Sequence, residues 1–353
     1  MSKSIPVKTS LAGSISLGME QGRFTRGYGC TCLNILLSYK EGCYANCGYC
    51  GLSAGRANKD SFIRVKWPVY SLESILLKLN EARHPFRRVC VSMVTHPRAV
   101  DDSCAVINYF SSETDLPVSA LLTPTIMDGK ADMLRIKDAG ADRAGIAIDA
   151  ATPSLFDSLR GRGVGGPHTW ERYFTALEEA VSVFGRYMAG VHLIVGLGET
   201  EKEMAAIIDD CYRMGALTHL FSFYPEPGSL LENLERPSMG QYRRIQIARY
   251  LINESLSKYS DFSFSSDGKI VDFGTDIAPL IEKGIPFMTS GCPGRDGFMA
   301  CNRPFSNERP SEPIRNFFFT PEDDDKKMIS AQVFGNTDES QPHFFRMRFP
   351  SNA

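Results

Sequence analysis

Three cysteines fall within one short loop: Cys43, Cys47 and Cys50, in EGCYANCGYCGLSAGR (41–56). Thiolates at this density hold metal. A tetrahedral structural zinc site wants four ligands, usually in two CxxC-like pairs. This loop offers three and no histidine. A [4Fe–4S] cubane is held by cysteine thiolates on its irons, so three cysteines bind three irons and leave the fourth open to a substrate or cofactor. The CxxxCxxC spacing therefore points to an open-site cluster, with a non-catalytic zinc or iron scaffold as the alternative.

Such a loop needs a rigid frame. CLNILLSY (32–39), directly before it, reads as a buried strand. RVCVSMVT (88–95), PVSALLTPT (117–125), DRAGIAID (142–149), GVHLIVGLG (190–198) and HLFSFYP (219–225) read as further strands. Between them lie helical patterns over 71–83, 101–112, 130–140, 169–185, 200–215 and 241–255. Thr152-Pro153 looks like an N-cap followed by a first-turn proline, and Thr200 and Glu203 stand in capping-box spacing. FSFSS (262–266) and IPFMTS (285–290) are weaker seventh and eighth strands. Alternating strands and helices mean parallel strands with right-handed crossovers. The expectation is an α/β chain: a parallel (β/α)₈ or partial TIM-type barrel over 30–291, an N-terminal extension over 1–29 and a C-terminal extension over 292–353. Functional loops then lie at the C-terminal strand ends, where the three-cysteine loop sits. The charges of PEDDDKK (321–327) read as a solvated surface.

Composition sets the bounds. The 353 residues are 43% hydrophobic and 23% charged, with a formal net charge of −2. Nothing suggests a broad nucleic-acid or membrane surface. No apolar run approaches the roughly 18 residues of a membrane span, and the first residues carry no apolar signal core. Ten cysteines without an export signal argue for a reducing, cytoplasmic setting, where clustered cysteines are more often metal ligands than disulfides.

The stretches LLSYKEGCYANCGYCGLSAG, RVCVSMVTHPR, GIAIDAAT, TWERYFTALEEA and HLIVGLGET resemble the successive core motifs of the radical SAM superfamily, in its biotin synthase and lipoyl synthase branch. The resemblance covers roughly residues 30 to 230. It implies a [4Fe–4S] cluster on Cys43, Cys47 and Cys50 whose open iron chelates S-adenosylmethionine (SAM), and reductive cleavage to a 5′-deoxyadenosyl radical that takes hydrogen from substrate. It further implies that Tyr49 lies against the adenine and that Thr95 and His96 stand near the methionine amine. Asp149 would bind the ribose hydroxyls and Arg172 would pair with the methionine carboxylate. The turn from Gly196 to Glu199 would lie beside the adenine. The family's Gly-Gly-Glu after the second strand is absent.

Seven cysteines remain. Cys104 and Cys211 sit on apolar helix faces and read as core thiols. Cys292 and Cys301 frame CPGRDGFMAC in a Gly- and Pro-rich tail with no apolar face to fill. Strand alternation puts Cys32, Asn34 and Leu36 on one face, and Cys90, Ser92 and Val94 on one face. Biotin synthase places an auxiliary-cluster ligand on its second strand, but its partner ligands read Ser119 and, approximately, Gly190 here. A different second [4Fe–4S] cluster is expected, on Cys32, Cys292 and Cys301 with Cys90 or Ser306 as a fourth ligand. A tail zinc site or unconnected thiols are the alternative.

GYGCTCLNILLSYKEGCYANCGYCGLS, SFIRVKWPVY, CVSMVTHPRA and CNRPFSNERPSEPIRNF are most similar to one subunit of the two-component lipoyl synthase. The single-chain enzyme's CxxxxCxxxxxC run is absent. This resemblance implies sulfur insertion into a protein-bound octanoyl chain. Its partners would be an octanoylated carrier protein or peptide, a second radical SAM subunit, and an electron donor such as ferredoxin or flavodoxin. Arg303, Arg309 and Arg315 could attract an acidic carrier. The rivals are another radical SAM reaction of the biotin synthase-like branch, either sulfur insertion or carbon-skeleton rearrangement on a small molecule, and the non-catalytic metal-binding barrel.

Overall fold

In the computed structural model, which describes residues 5–56, 61–81 and 84–335, the expected alternation of strands and helices is present. In chain order the main elements are β1 (Pro6–Thr9), β2 (Cys32–Leu37), β3 (Val69–Ser71), α1 (Leu72–Glu81), β4 (Arg88–Ser92), α2 (Ala99–Glu113), β5 (Val118–Leu122) and α3 (Gly129–Asp138). Then come β6 (Ala141–Asp149), α4 (Pro153–Leu159), α5 (Trp170–Phe184), β7 (Ala189–Val195), α6 (Glu201–Met214), β8 (Ala216–Ser222), α7 (Met239–Asn253) and α8 (Asp323–Phe334). β2 and β4 are buried at every position, as strands must be when helices cover one face and an enclosed interior lies on the other.

Among the described residues the central sheet has eight strands, in the order β8-β7-β6-β5-β4-β2-β1-β3. The run from β2 to β8 is parallel. β1 runs antiparallel to both β2 and β3. The N-terminal stretch thus joins the sheet, a pairing that its mixed composition hid. The edge strands β8 and β3 do not pair with each other, so the sheet is a partial barrel.

The two weaker strand candidates do not complete it. Ser263–Phe264 pairs only with Ile270–Asp272 in a small separate sheet. Ile285–Phe287 forms a 3₁₀ turn with Pro286 in its first turn; proline has no N–H to give a ladder. Met288 then makes one isolated bridge to Phe317.

Helix ends follow the sequence signals. Thr152 caps α4 by accepting from Leu155 N at 3.2 Å. Thr200 and Glu203 form a reciprocal capping box on α6, with bonds of 3.1 and 2.8 Å. The acidic run in the tail is not merely solvated. It opens α8, which packs on α7. Asp325 is buried and takes both Nη1 and Nη2 of Arg26, at 2.7 and 2.8 Å. No helix among the described residues is long and apolar enough to cross a membrane.

Register fixes what faces inward. Asn34, Cys90, Ser119 and Arg143 stand opposite one another across β2, β4, β5 and β6. Ala147, His192 and His219 do the same across β6, β7 and β8. Because side chains alternate along a strand, Leu36, Leu121, Asp149, Ile194 and Phe221 share this face nearer the C-terminal ends. Cys32 and Cys90 therefore both point into the barrel.

Candidate active site

The loop after β2 carries Cys43, Cys47 and Cys50 to the C-terminal end of the sheet, where all three line a cavity of about 200 Å³. The loop is tied down from several sides. Tyr44 N donates to Thr95 O and Gly48 N to Leu159 O, both at 2.8 Å. Asn46 donates Nδ2 to Val164 O at 2.8 Å and accepts from Gly55 N at 3.0 Å. Leu52 N donates to the Cys50 sulfur at 3.4 Å. Burial pushes the Cys47 and Cys50 thiols up, so ionised sulfur here needs compensating positive charge.

That charge comes first from Arg160, which the sequence reading missed. Its side chain is 6% exposed, and its Nη1 stands 3.4 Å from Asp149 Oδ2. It donates to the carbonyls of Ala147 and Ile148 and, at 3.1 Å, to Tyr173 Oη. It also acts on Cys47, opposing the upward push of burial. Its Nε is buried without a partner. In the sequence Arg160 precedes a second arginine, Arg162, which is 91% exposed; nothing in the local pattern separates them.

Asp149 holds a left-handed backbone conformation, with φ of 64°. Such a φ is uncommon outside glycine, and aspartate and asparagine are among the side chains that tolerate it best. Here it follows an irregularity in the β6–β7 pairing and places the carboxylate on the cavity wall. Tyr49 Oη donates to Asp149 Oδ2 at 2.6 Å. Tyr49, Asp149 and Thr95 all line the cavity beside the three cysteines. Leu36, Met93, Leu121 and Phe223 supply apolar wall.

Four other residues named from the sequence for the cofactor stand outside the lining, Gly196 among them. His96 is buried and stacks on Tyr39, with ring centroids 3.7 Å apart. Arg172 is engaged away from the cavity, donating to Glu179 at 3.0 Å and to the Pro124 carbonyl at 3.2 Å. Glu199 folds back on its own turn, accepting from Gly196 N at 2.7 Å and Leu197 N at 2.9 Å. Burial raises its pKa to about 7. This turn reaches the site indirectly, because Leu197 packs with Leu159 and Phe223, against which Tyr49 rests.

A second thiol group lies deeper. Cys32 lies beside Cys301, and this neighbour, with Arg303 and Arg88, holds the Cys301 thiol below its ordinary value. Cys90 and Cys292 are close enough to act on Cys301, and burial pushes both thiols up, Cys292 to about 12. Cys30, which the sequence reading left unassigned, joins them: it is fully buried and accepts from Ser306 Oγ at 3.5 Å. Its position before β2, outside the alternating stretch, gave no signal.

Arg303 bridges the two regions. It is 2% exposed, lines the cavity and influences Cys30, Cys90 and Cys301. Nη2 contacts His192 at 3.4 Å, while Nε and Nη1 are buried without partners. A buried unpaired guanidinium is costly, and a thiolate-bound anionic cluster would satisfy it. Arg303 and Arg315 are thus both buried and cannot form the carrier-docking surface read from the sequence. Their long side chains complete the interior, and of the three arginines only Arg309 is exposed.

Among the described residues no three His, Cys, Asp or Glu side chains converge as one metal ion requires. A cubane puts each thiolate on a different iron and accepts a wider spread. The donor set around Cys43, Cys47 and Cys50 fits such a cluster: three thiols, an N–H on sulfur, and an adjoining pocket with a carboxylate, a guanidinium and an aromatic ring.

No curated protein matches the chain in sequence. Among solved structures it is similar to methylornithine synthase (PylB), at 16% identity and a TM-score of 0.47, with 67% of each chain covered. It is also similar to the FeFe-hydrogenase maturase HydG from Carboxydothermus hydrogenoformans, at 18% identity and a TM-score of 0.48, covering 69% of this chain and 59% of that one. Residues 37–211 match the family model of the radical SAM superfamily. The match begins just before the three-cysteine loop and ends within α6, so this chain carries a radical SAM superfamily domain.

Proposed function

We propose that this radical SAM enzyme inserts sulfur into a protein-bound octanoyl chain, acting as one subunit of a two-component lipoyl synthase. The observation that carries the reading is the second thiol group. Cys32, Cys292 and Cys301, with Cys90, Cys30 or Ser306 available to complete the set, cluster behind Arg303, which lines the cavity of Cys43, Cys47 and Cys50. Sulfur added to an unactivated carbon must be held close to that carbon, since a diffusing donor would lose to competing reactions.

Cys43, Cys47 and Cys50 would hold the first [4Fe–4S] cluster, and Cys32, Cys292 and Cys301 the second. With SAM bound and an electron from an external donor, the first cluster would supply a 5′-deoxyadenosyl radical to take hydrogen from substrate. The chain's residues do the positioning. Tyr49 and Asp149 form one hydrogen-bonded unit on the adenosine side. Arg160 fixes Asp149 and compensates the thiol loop. Leu36, Met93, Leu121 and Phe221 line an apolar path suited to an alkyl chain and keep water out. Arg303 stands between this path and the second thiol group.

The test is anaerobic turnover with SAM and an octanoyl-lysine carrier peptide, with and without a second radical SAM protein. The expected protein is brown, with about eight irons per chain, and transfers label from a ³⁵S-reconstituted cluster. Cys292→Ala and Cys301→Ala should abolish sulfur transfer and keep SAM cleavage. Full product from either variant, or label entering from solution sulfide alone, refutes the reading.

A further inference from the structure

A second cavity, of about 580 Å³, lies at the opposite ends of the strands. Arg143 near the start of β6, Gly190 near the start of β7 and Leu217 near the start of β8 line it. Of the residues assigned above, Cys292 alone lines it.

Its polar groups are incomplete. Arg249 of α7 is 5% exposed, and while its Nη2 donates to the Pro286 carbonyl at 2.8 Å, its Nε has no partner. His219 Nδ1 and Thr289 Oγ1, on the same cavity, are also buried without partners. Buried polar atoms in folded proteins are nearly always satisfied. Three such atoms belong to residues that line this one cavity.

Charge says which kind of ligand suits it. Arg143 and Arg249 each donate to a neutral carbonyl, that of Tyr187 at 2.9 Å and that of Pro286. Glu254 is the only acid in the lining among the described residues. Two guanidiniums against one carboxylate leave a positive excess. Burial lowers the Arg249 pKa to about 10, as expected for an under-compensated cation that is still charged at neutral pH. Cys292 also lines this cavity, so a ligand here would adjoin the second thiol group from the side away from Cys43, Cys47 and Cys50.

We propose that this cavity is a second ligand site, built for a compact anion held between Arg143 and Arg249, and that it is the entrance by which a sulfur-bearing anion reaches Cys292. The anion site stands on the cavity alone. Its service to the second thiol group rests on the sulfur-insertion reading.

The experiment is equilibrium dialysis of ³⁵S-thiosulfate against the anaerobically reconstituted full chain, with unlabelled sulfate as competitor. One saturable site is expected. Arg249→Gln and Arg143→Gln should each weaken it about tenfold or more, the loss of a charge-assisted bond. Arg295→Gln, at an exposed arginine outside the cavity, should leave it unchanged. Arg143 is the less buried of the two, so its variant answers the question if Arg249→Gln lowers the melting temperature. Cys43→Ala/Cys47→Ala/Cys50→Ala should bind thiosulfate normally, so the result survives failure of the sulfur-insertion reading. Sulfate competing as strongly as thiosulfate would keep the anion site and overturn the sulfur entrance. Non-saturable binding, or unchanged binding in both arginine variants, would overturn the site itself.

Discussion

Removing the Arg160 guanidinium should destabilise the protein through Asp149, and the coupling between the two can be measured. Their side chains are 6% and 14% exposed, with Nη1 and Oδ2 3.4 Å apart. At an effective dielectric of about 20, unit charges at that distance attract by about 5 kcal/mol before desolvation is subtracted. Breaking a buried pair from one side typically costs about 3–5 kcal/mol. Arg160→Met also strips donors from the Ala147 and Ile148 carbonyls and from Tyr173 Oη, so its loss should sit at the upper end. Asp149→Asn keeps an oxygen to accept from Tyr49 Oη, and should lose about 1.5–3 kcal/mol. The double variant leaves neither an unpaired buried cation nor an unpaired anion. Its loss should be smaller than the sum by about 1.5–3 kcal/mol. Anaerobic equilibrium urea unfolding of all four proteins, with midpoint and slope fitted separately, measures this. A coupling below about 0.5 kcal/mol would show that Arg160 serves only the carbonyls, and the assigned electrostatic link to the site would be wrong.

Changing Cys43, Cys47 or Cys50 to Ala should remove the iron of the first cluster and stop formation of 5′-deoxyadenosine; iron analysis and anaerobic SAM cleavage report both. His168 is 3% exposed and is lowered to about 3 by burial and then by Arg160. The unfolded chain therefore takes the proton first, and stability present above about pH 6.5 should fall as pH drops toward 3, by on the order of 2 kcal/mol between pH 7 and 5; urea midpoints of wild type should fall more steeply from pH 7 to 5 than those of His168→Gln, and equal slopes would refute this. Gly196 has φ of 104°, and a Cβ there would stand 2.6 Å from Pro237 Cδ, so Gly196→Ala should lower stability by about 1–3 kcal/mol, read as a shift in melting temperature. Asn302 is fully buried and satisfies both Thr31 N and the Gly29 carbonyl. Asn302→Ala should cost about 2–4 kcal/mol and reduce iron in the second group while SAM binding persists.

The sequence made the parallel frame legible because six of its strands are short apolar runs between capped helices. CLNILL, RVCVS and VSALL are buried throughout or nearly so. Pro6–Thr9 and Val69–Ser71 escaped because four and three residues are too few to show a period. The loop thiols were legible in their spacing after a strand, whereas Tyr49, Thr95 and Asp149 were named through the family resemblance; all six line one cavity. Arg160 and Arg303 were not, because their importance lies in burial without a full set of partners, and burial is set by residues far along the chain. Arg172 shows the reverse: the resemblance suggested the site, but Glu179, two turns on along α5, and the carbonyls of 124 and 127 claim its guanidinium.

The tail shows why the second thiol group takes ligands from both ends of the chain. A sheet that stops at β8 leaves the interior open on one flank, where two further strands would have closed a full barrel. Residues 287–317 occupy that flank. On the β8 side, Arg243 of α7 donates to the carbonyls of Ile314 and Arg315, at 2.6 and 2.7 Å, and Arg303 lies over the Phe221 ring. On the β2 side, Thr31 donates to Asn302 and to the Ala300 carbonyl, at 3.0 and 2.6 Å. Arg88 at the start of β4 donates to the Pro293 carbonyl at 2.6 Å. Phe287, Phe305 and Phe317 fill the space between. The segment that seals the barrel is therefore the segment that carries Cys292 and Cys301 to Cys32. A Gly- and Pro-rich chain suits this task, because it must follow an irregular gap rather than extend a ladder. Closure and delivery of the two cysteines are one structural event, and the second thiol group can form only in a chain whose tail is docked.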